Sequence, residues 1–205
     1  MLRALLCLFI LIPSAAFASR PVAYLDAWSV MSENRPEENE WMANYTLQPH
    51  LALGVHGSRL DLGGGAVRTF VGPTLAVLAH RYVANDLQAN LYATGGYGSQ
   101  NQWLSVEQID VETRKYYGEF RQQNWGQFGD GGLPTLSTWR VRAGIAPYLA
   151  EFESMHTWFV LQAEGWSWEG PVQVTPMLRF FYRNVLWEMG VSVRGEVNFA
   201  LDIEF

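Results

Sequence analysis

The carboxyl-terminal end of the chain alternates between apolar and polar residues. One series is formed by Val197, Phe199, Leu201, Ile203 and Phe205, and the intervening positions hold Glu196, Asn198, Ala200, Asp202 and Glu204. Successive side chains of a β-strand point to opposite faces. The pattern therefore predicts a strand with one apolar, aromatic face and one face that is mainly acidic and polar.

The same alternation recurs in other segments of the chain, which are 87–94, 139–146, 159–164 and 187–194. The stretch 66–82 is weaker, because it is apolar on both faces and contains Pro73. Breaks between the segments define about twelve strand candidates, roughly 22–32, 40–48, 50–59, 66–81, 86–97, 102–112, 114–125, 136–150, 156–168, 172–183, 185–193 and 196–205. Regularly spaced short strands of this kind predict a β-sandwich or a β-barrel.

The lengths of the connections favour a transmembrane barrel over a soluble sandwich. Longer connections (33–39, 60–65 and 126–135) alternate with tight turns (48–49, 83–85 and 112–113), and 151–155 is an intermediate exception. In bacterial barrels, outer loops are long and periplasmic turns are short. We therefore predict an antiparallel transmembrane β-barrel of about twelve strands, with ten as the alternative because the first strand is the weakest.

The amino-terminal end has the features of a secretory signal peptide. Arg3 precedes an apolar run from Ala4 to Pro13, and small residues lead to Ala18. We predict cleavage after Ala18, which leaves 19–205 as the barrel. Cys7 lies in the removed segment, so the mature chain would contain no disulfide and no thiolate site. Beyond Ala18 no stretch approaches the roughly 20 apolar residues of a transmembrane helix.

Composition narrows the choice of partners. The 205 residues carry a formal net charge of −6, and they are 49% hydrophobic and 14% aromatic. This hydrophobic content excludes a disordered chain, and the acidic balance argues against a nucleic-acid partner. Arginine greatly outnumbers lysine, because thirteen arginines accompany Lys115 alone.

Four features of the sequence resemble small, uncharacterised outer-membrane β-barrel proteins of Gram-negative bacteria. They are the terminal Phe205, the alternating strand before it, and the segments 88–92 (Gln-Ala-Asn-Leu-Tyr) and 143–148 (Ala-Gly-Ile-Ala-Pro-Tyr). The resemblance implies an outer-membrane location, contact with outer-membrane lipid, and a role for Phe205 in the signal read by the barrel-assembly machinery. It implies no particular activity.

Charged residues fall on the faces assigned to the lumen, and they are Arg140, Arg142, Glu164, Arg179, Glu188, Arg194, Glu196, Asp202 and Glu204. One interpretation is an interior lattice of salt bridges, because isolated buried charges are costly. The other is a selectivity lining for a small solute. The sequence therefore predicts a small outer-membrane barrel that is either structural or a narrow channel. Arginine suits packing against several carboxylates better than lysine does.

Two alternative functions stay open. A lipid-modifying enzyme would need a serine, a base and an orienting group, and His56, Ser58 and Asp61 lie near an outer loop. Ser154 and His156, with Glu151 and Glu153, fall on a periplasmic turn. Because such short-range combinations arise readily by chance, we assign no catalytic residue. The second alternative is a docking barrel that uses the loop 126–135.

Most tryptophans lie near strand ends, where a girdle at the membrane interfaces is expected. These are Trp28, Trp41, Trp103, Trp125, Trp166, Trp168 and Trp187, and the alternative is a ligand platform formed by Trp125, Trp166 and Trp168. The acidic group Glu33, Glu37, Glu38 and Glu40 is expected to solvate the rim rather than bind divalent cations. No metal site and no cofactor are predicted.

Overall fold

The computed structural model describes residues 20–129, 134–149, 154–168 and 170–205. In these residues twelve antiparallel strands close into a barrel, which confirms the predicted fold and the preferred strand number. The strands are β1 (Trp28–Asn34), β2 (Glu38–Gln48), β3 (Leu51–Asp61), β4 (Val67–Ala84), β5 (Leu87–Tyr97), β6 (Gln102–Glu112), β7 (Tyr116–Gln127), β8 (Leu136–Ile145), β9 (His156–Trp166), β10 (Gln173–Tyr182), β11 (Val185–Val191) and β12 (Val197–Glu204). No helix in this part of the chain is long and apolar enough to cross a membrane.

The first strand begins later than the sequence pattern predicts. β1 starts at Trp28 rather than near residue 22, and residues 20–22 are buried instead of forming part of the wall. The predicted signal peptide, 1–18, lies outside the described residues.

Each strand pairs with its neighbours in sequence, and β1 pairs with β12 to close the ring. The seam runs from Ser29 opposite Glu204 to Asn34 opposite Phe199. It is extended by Trp28 and Phe205, whose backbones exchange two hydrogen bonds of 2.7 and 2.9 Å. A closed ring leaves no strand edge without backbone partners, which is the condition for spanning a bilayer with strands.

The outer surface of the barrel is largely apolar, although Ser105, Glu107 and Asn124 form an outward-facing polar group on β6 and β7. Exposed large apolar side chains occur on every strand, among them Val30, Leu53, Val71, Leu91, Ile109, Phe120, Val141, Phe159, Leu161, Met189 and Phe199. Polar partners at the alternating positions are buried, as Asn198 and Asp202 are on β12. This arrangement of apolar residues outside and polar residues inside is the one that the alternation predicted.

Three cross-strand pairs on the outer surface join a tryptophan to a glycine. The pairs are Trp41 with Gly57, Trp103 with Gly126, and Trp139 with Gly165. In each pair the indole lies over the glycine, so that a Cβ added there would come within 2.2–2.8 Å of the ring. An aromatic ring that covers a glycine on the neighbouring strand shields exposed backbone and fixes the register.

The barrel has two distinct ends. The terminal end carries residues 20–27, Phe205 and the connections β2–β3, β4–β5, β6–β7, β8–β9 and β10–β11; the loop end carries the other connections. Inside the loop end lies an apolar cluster of Leu60, Phe70, Leu104, Val106, Trp125 and Leu136. Buried charged residues fill the region around the middle, and two further apolar clusters lie toward the terminal end.

Candidate functional site

The most distinctive feature of the lumen is a network of buried arginines and glutamates, here called the charge lattice. It consists of Arg35, Arg121, Arg140, Arg142, Arg179, Glu33, Glu38, Glu40, Glu119, Glu164 and Glu188. Each of these residues is 0–5% exposed. They reach the lumen because they occupy the inward positions of the alternating strands, except Arg35, which lies in the β1–β2 connection.

Glu33 on β1 is surrounded by four guanidinium groups. One carboxylate oxygen accepts hydrogen bonds from Arg140 at 2.6 Å and from Arg142 at 2.7 Å. Arg121 and Arg35 lie within 3.8 and 3.9 Å of the carboxylate. This single acid therefore joins two arginines of β8 to the opposite side of the barrel.

Glu40 on β2 forms the second crossing point. It accepts two hydrogen bonds from Arg121 on β7, one of them at 3.1 Å, and another from Gln123 at 3.1 Å. His56 on the neighbouring strand β3 lies 3.5 Å from the same carboxylate. Both carboxylate oxygens are thus used, which is the condition for burying a charge at acceptable cost.

The β1–β2 connection adds Arg35 to the lattice. Its two terminal nitrogens donate to Glu164 on β9 and to Glu38 on β2, each at 2.7 Å. Glu164 also accepts from Gln162 at 3.0 Å. The side chain of Arg35 is therefore held inside the barrel, although Pro36 next to it is exposed.

Arg142 extends the lattice toward β11 and the terminal end. It donates to Gln162 at 2.6 Å and to Glu188 at 3.1 Å. Glu188 in turn accepts from Arg179 at 2.5 Å. The Arg179 guanidinium also lies 4.0 Å from the centre of the Tyr117 ring, with which it makes a cation–π contact.

The lattice crosses the lumen instead of following one wall. β1 and β8 lie five strands apart around the ring of twelve, and so do β2 and β7. The Arg140–Glu33 and Arg121–Glu40 pairs connect these strands directly. The opposite walls are therefore joined by side chains at this level, and five arginines nearly balance six glutamates.

The structure places most of the predicted lining residues inside the barrel. Arg140, Arg142, Glu164, Arg179 and Glu188 belong to the lattice, while Asp202 is buried and Glu204 half-buried on β12. Arg194 is instead exposed in the β11–β12 turn, where it donates to the Pro171 carbonyl at 2.8 Å. Glu196 lies in the same turn and accepts from Ser192 at 3.2 Å. Arg194 leaves the predicted lumen face because β11 already ends at Val191, whereas Glu196 is half-buried and also accepts from the buried Gln173 of β10.

The expectation that Glu33, Glu37, Glu38 and Glu40 solvate the rim is wrong, because all four are buried. Lattice members missed by the sequence analysis are Glu33, Arg35, Glu38, Glu40, Glu119 and Arg121. The alternation of 38–46 and of 117–125 contained a signal for them, since every second residue there faces inward and most of these residues are polar or charged, with Met42 and Trp125 as exceptions.

The comparisons with known proteins concern the fold. No protein-family model and no curated protein sequence matches this chain. Among solved structures, the chain is similar to the KdgM porin in complex with disordered oligogalacturonate, with a TM-score of 0.50 and 9% identity over 87% of this chain and 98% of that one. The chain therefore shares with this porin only its architecture, a closed antiparallel β-barrel. Weaker similarities include the NanC porin (TM-score 0.45, 6% identity, 87% of this chain and 98% of that one) and Pseudomonas aeruginosa OccK5 (TM-score 0.40, 10% identity, 88% and 67%).

The residues considered for catalysis at the loop end contact different partners. His56 faces Glu40 and the Phe70 ring, whereas the Ser58 hydroxyl accepts from the Trp125 indole at 3.1 Å. The Asp61 carboxylate accepts from the backbone of Gly63 at 3.0 Å. These contacts do not form the serine–base–acid relay that nucleophilic catalysis requires.

The second combination considered for catalysis lies at the terminal end. Ser154 is exposed just before β9, and the His156 ring packs edge-on against Phe181. Glu151 and Glu153 lie outside the described residues.

The tryptophans divide between the two faces of the barrel. Trp28 and Trp41 are exposed on the outside, as a girdle requires, but Trp125 is only 1% exposed and lies in the apolar cluster inside the loop end. Trp168 packs against that cluster, meets Trp125 edge to face at 6.4 Å and donates to the Asp61 carbonyl at 2.9 Å. Trp166 is also buried. The girdle prediction is therefore wrong for Trp125 and Trp166, which face the lumen because they occupy inward positions of β7 and β9.

Part of the loop considered as a docking element, 126–135, is described. Residues 126–127 continue β7, and Phe128 packs near Trp103 and Tyr97. Residues 130–133 lie outside the described part of the chain, so a docking role for this loop stays a prediction.

Proposed function

We propose that this protein is an integral outer-membrane barrel that acts as a narrow, normally closed channel for small polar solutes, with the charge lattice as its constriction. The main observation in support of this proposal is that ion pairs join opposite walls of a closed barrel whose outer surface is largely apolar. The outer surface would contact outer-membrane lipid. Phe205, 61% exposed at the seam, would be read by the barrel-assembly machinery, and 1–18 would direct export.

The chemistry of the lumen supports a channel over a purely structural barrel. Apolar side chains of similar volume are often neutral or more favourable than a buried ion-pair network. A barrel with only a structural role could therefore close its lumen with residues like those of the apolar cluster at the loop end. A lattice of eleven charged groups can instead be rehydrated when its pairs separate, and it discriminates solutes by charge.

The balance of charge indicates which solutes would pass. KdgM is described with a bound oligogalacturonate, an acidic sugar chain. In the present barrel an acidic solute would have to compete with six glutamates for five arginines. We therefore expect small neutral or cationic solutes to be favoured over acidic sugars.

Single-channel recording in planar lipid bilayers tests this function. The purified wild-type protein should show small, infrequent cation-preferring steps. The double variant Glu33→Ala/Arg140→Ala removes one crossing pair without changing net charge, so its steps should be larger and more frequent. Arg194→Ala, at an exposed turn residue, serves as the control and should behave like the wild type. Silence of both the wild type and the double variant would refute the channel and favour a structural barrel.

A further inference from the structure

Residues 20–22 enter the lumen before the chain begins the barrel wall. Arg20 is 3% exposed and Val22 1%, and Pro21 is also buried. A turn follows at Tyr24–Asp26, where Leu25 is 54% exposed, and β1 then starts at Trp28. Terminal segments are commonly left at the surface unless specific contacts hold them. Specific contacts must therefore hold this segment inside the barrel.

The guanidinium group of Arg20 is held by two acids of β6. It donates to Glu112 at 2.5 Å and lies 3.8 Å from Asp110. Asp110 is fully buried and also accepts from Asn90 on β5 at 2.6 Å. Asp110 and Glu112 are two residues apart on one strand, so their side chains point into the lumen on the same face. Together they make an acidic site that holds the planar guanidinium group of Arg20.

Val22 is anchored on a different part of the wall. It belongs to a buried apolar cluster with Ala52, Ala76, Leu78 and Tyr92, which come from β3, β4 and β5. The next residue, Ala23, donates from its backbone to the Thr46 hydroxyl of β2 at 3.0 Å. The segment thus contacts several strands through side chains, but it is not part of the strand ladder that closes the barrel.

Pro21 lies directly beneath the charge lattice. It lines a cavity of about 10 Å³, room for about one water molecule, together with His56 and Arg121 of the lattice region. The segment 20–22 therefore obstructs the lumen in addition to the lattice and the apolar clusters. This segment can leave without breaking any strand pairing.

We propose that residues 20–22 form a tethered plug, and that Asp110 and Glu112 form a guanidinium site in the barrel wall which Arg20 occupies as a built-in ligand. Release of Arg20 lets this segment leave the terminal half of the lumen, and the vacated acids then bind a guanidinium or similar cation from solution. The closing role of the plug rests on the proposed channel function, whereas the location and retention of the segment do not.

Site-directed thiol labelling tests the retention. The background is the full chain with Cys7→Ala, which has no other cysteine. Val22→Cys and Leu25→Cys are introduced separately into this background. Their rates of reaction with a charged methanethiosulfonate are compared in isolated outer membranes that are permeable to the reagent. We expect Leu25→Cys to react rapidly and Val22→Cys to be protected. Adding Arg20→Ala or Glu112→Gln should accelerate labelling of Val22→Cys by at least about tenfold, because a buried ion pair is broken.

Two labelling results would overturn the proposal. Equal labelling of Val22→Cys and Leu25→Cys in the otherwise unchanged chain would show that the segment is not held in the lumen. Unchanged protection after Arg20→Ala and after Glu112→Gln would show that the acidic site does not retain it. Guanidinium chloride should compete with Arg20 for Asp110 and Glu112, so it should accelerate labelling of Val22→Cys in the otherwise unchanged chain more than sodium chloride at the same concentration does. Equal labelling rates in the two salts would refute the guanidinium site.

Conductance separates the plug from the channel proposal. Arg20→Ala added to Glu33→Ala/Arg140→Ala should enlarge the steps further. If the double variant conducts and Arg20→Ala adds nothing, the plug role is refuted although the channel stands. If every variant is silent, the channel is refuted, and the labelling still decides where the segment lies.

Discussion

Among single substitutions that neutralise one charge of the lattice, Glu33→Gln is expected to lower the stability of the barrel the most. The change keeps the size of the side chain but removes the negative charge shared by Arg140 and Arg142, which donate to it at 2.6 and 2.7 Å. Removing one partner of a buried ion pair costs about 3–5 kcal/mol. Glu33→Gln leaves positive charge at the centre of the lumen.

The surrounding contacts set the magnitude within that range. Arg140 retains Glu119 at 3.0 Å, and Arg142 retains Glu188 at 3.1 Å. Because each arginine keeps one carboxylate, we expect a loss of about 3 kcal/mol in the free energy of unfolding, the lower end for a broken buried pair. Glu164→Gln should cost about 1.5 kcal/mol, the scale of one hydrogen bond to a charged group, because Glu164 pairs with Arg35, which retains Glu38.

Urea unfolding of the barrel in lipid vesicles, followed by tryptophan fluorescence and by the mobility of unheated samples on denaturing gels, measures these differences. Arg194→Ala is the control, because an exposed turn residue should change stability by no more than about 0.5 kcal/mol. The reasoning is refuted if Glu33→Gln costs less than about 1 kcal/mol, since the lumen would then be hydrated enough to screen the charge. It is also refuted if Glu164→Gln is the more damaging of the two.

Two further predictions concern the outer surface. Gly57→Ala should destabilise the barrel by about 1–3 kcal/mol, the usual cost of overpacking, because its Cβ would come 2.2 Å from the Trp41 ring. Gly118→Ala is the control: the nearest neighbours of its Cβ would lie 4.0 Å away, so it should cost less in the same urea titration. Phe205→Ala should lower the fraction of folded barrel in outer membranes while leaving the unfolding midpoint of the purified protein unchanged, because the backbone contacts of the seam remain and only an exposed side chain is lost. Phe159→Ala, another exposed phenylalanine, should show no assembly defect, and an equal defect in both variants would contradict a specific role for the terminal ring.

The barrel and its strand number could be predicted because alternation is a local property of the chain. A strand with one face toward lipid and the other toward a polar lumen must repeat its pattern every two residues. β12 shows this most clearly, with exposed Phe199 beside buried Asn198. The start of β1 could not be predicted, because residues 20–25 contain apolar residues but do not pair in the sheet, and Val22 is buried by tertiary contacts rather than by alternation.

The pairing of charged residues inside the lumen could not be predicted from the sequence for a different reason. Alternation predicts that Arg140 faces inward, but it does not predict which of the strands five positions away brings Glu33 to meet it. That depends on strand tilt and on where each strand ends. The short β1–β2 connection lies low enough for Arg35 to reach β9, so acids that resemble a solvated rim in the sequence are buried instead.

The scarcity of lysine follows from how the lattice is connected. Arg142 uses its Nε to reach Gln162 on β9, one terminal nitrogen to reach Glu188 on β11 and the other to reach Glu33 on β1. Three strands are thus joined by one planar group whose donors point in fixed directions. A lysine ammonium at the same place would concentrate its donors on one atom and leave part of this buried set without a partner, at a cost that the lumen cannot offset with water. Arginine at the crossing points is therefore a consequence of joining walls that lie on opposite sides of the barrel, and the composition of the chain reflects the geometry of its lumen.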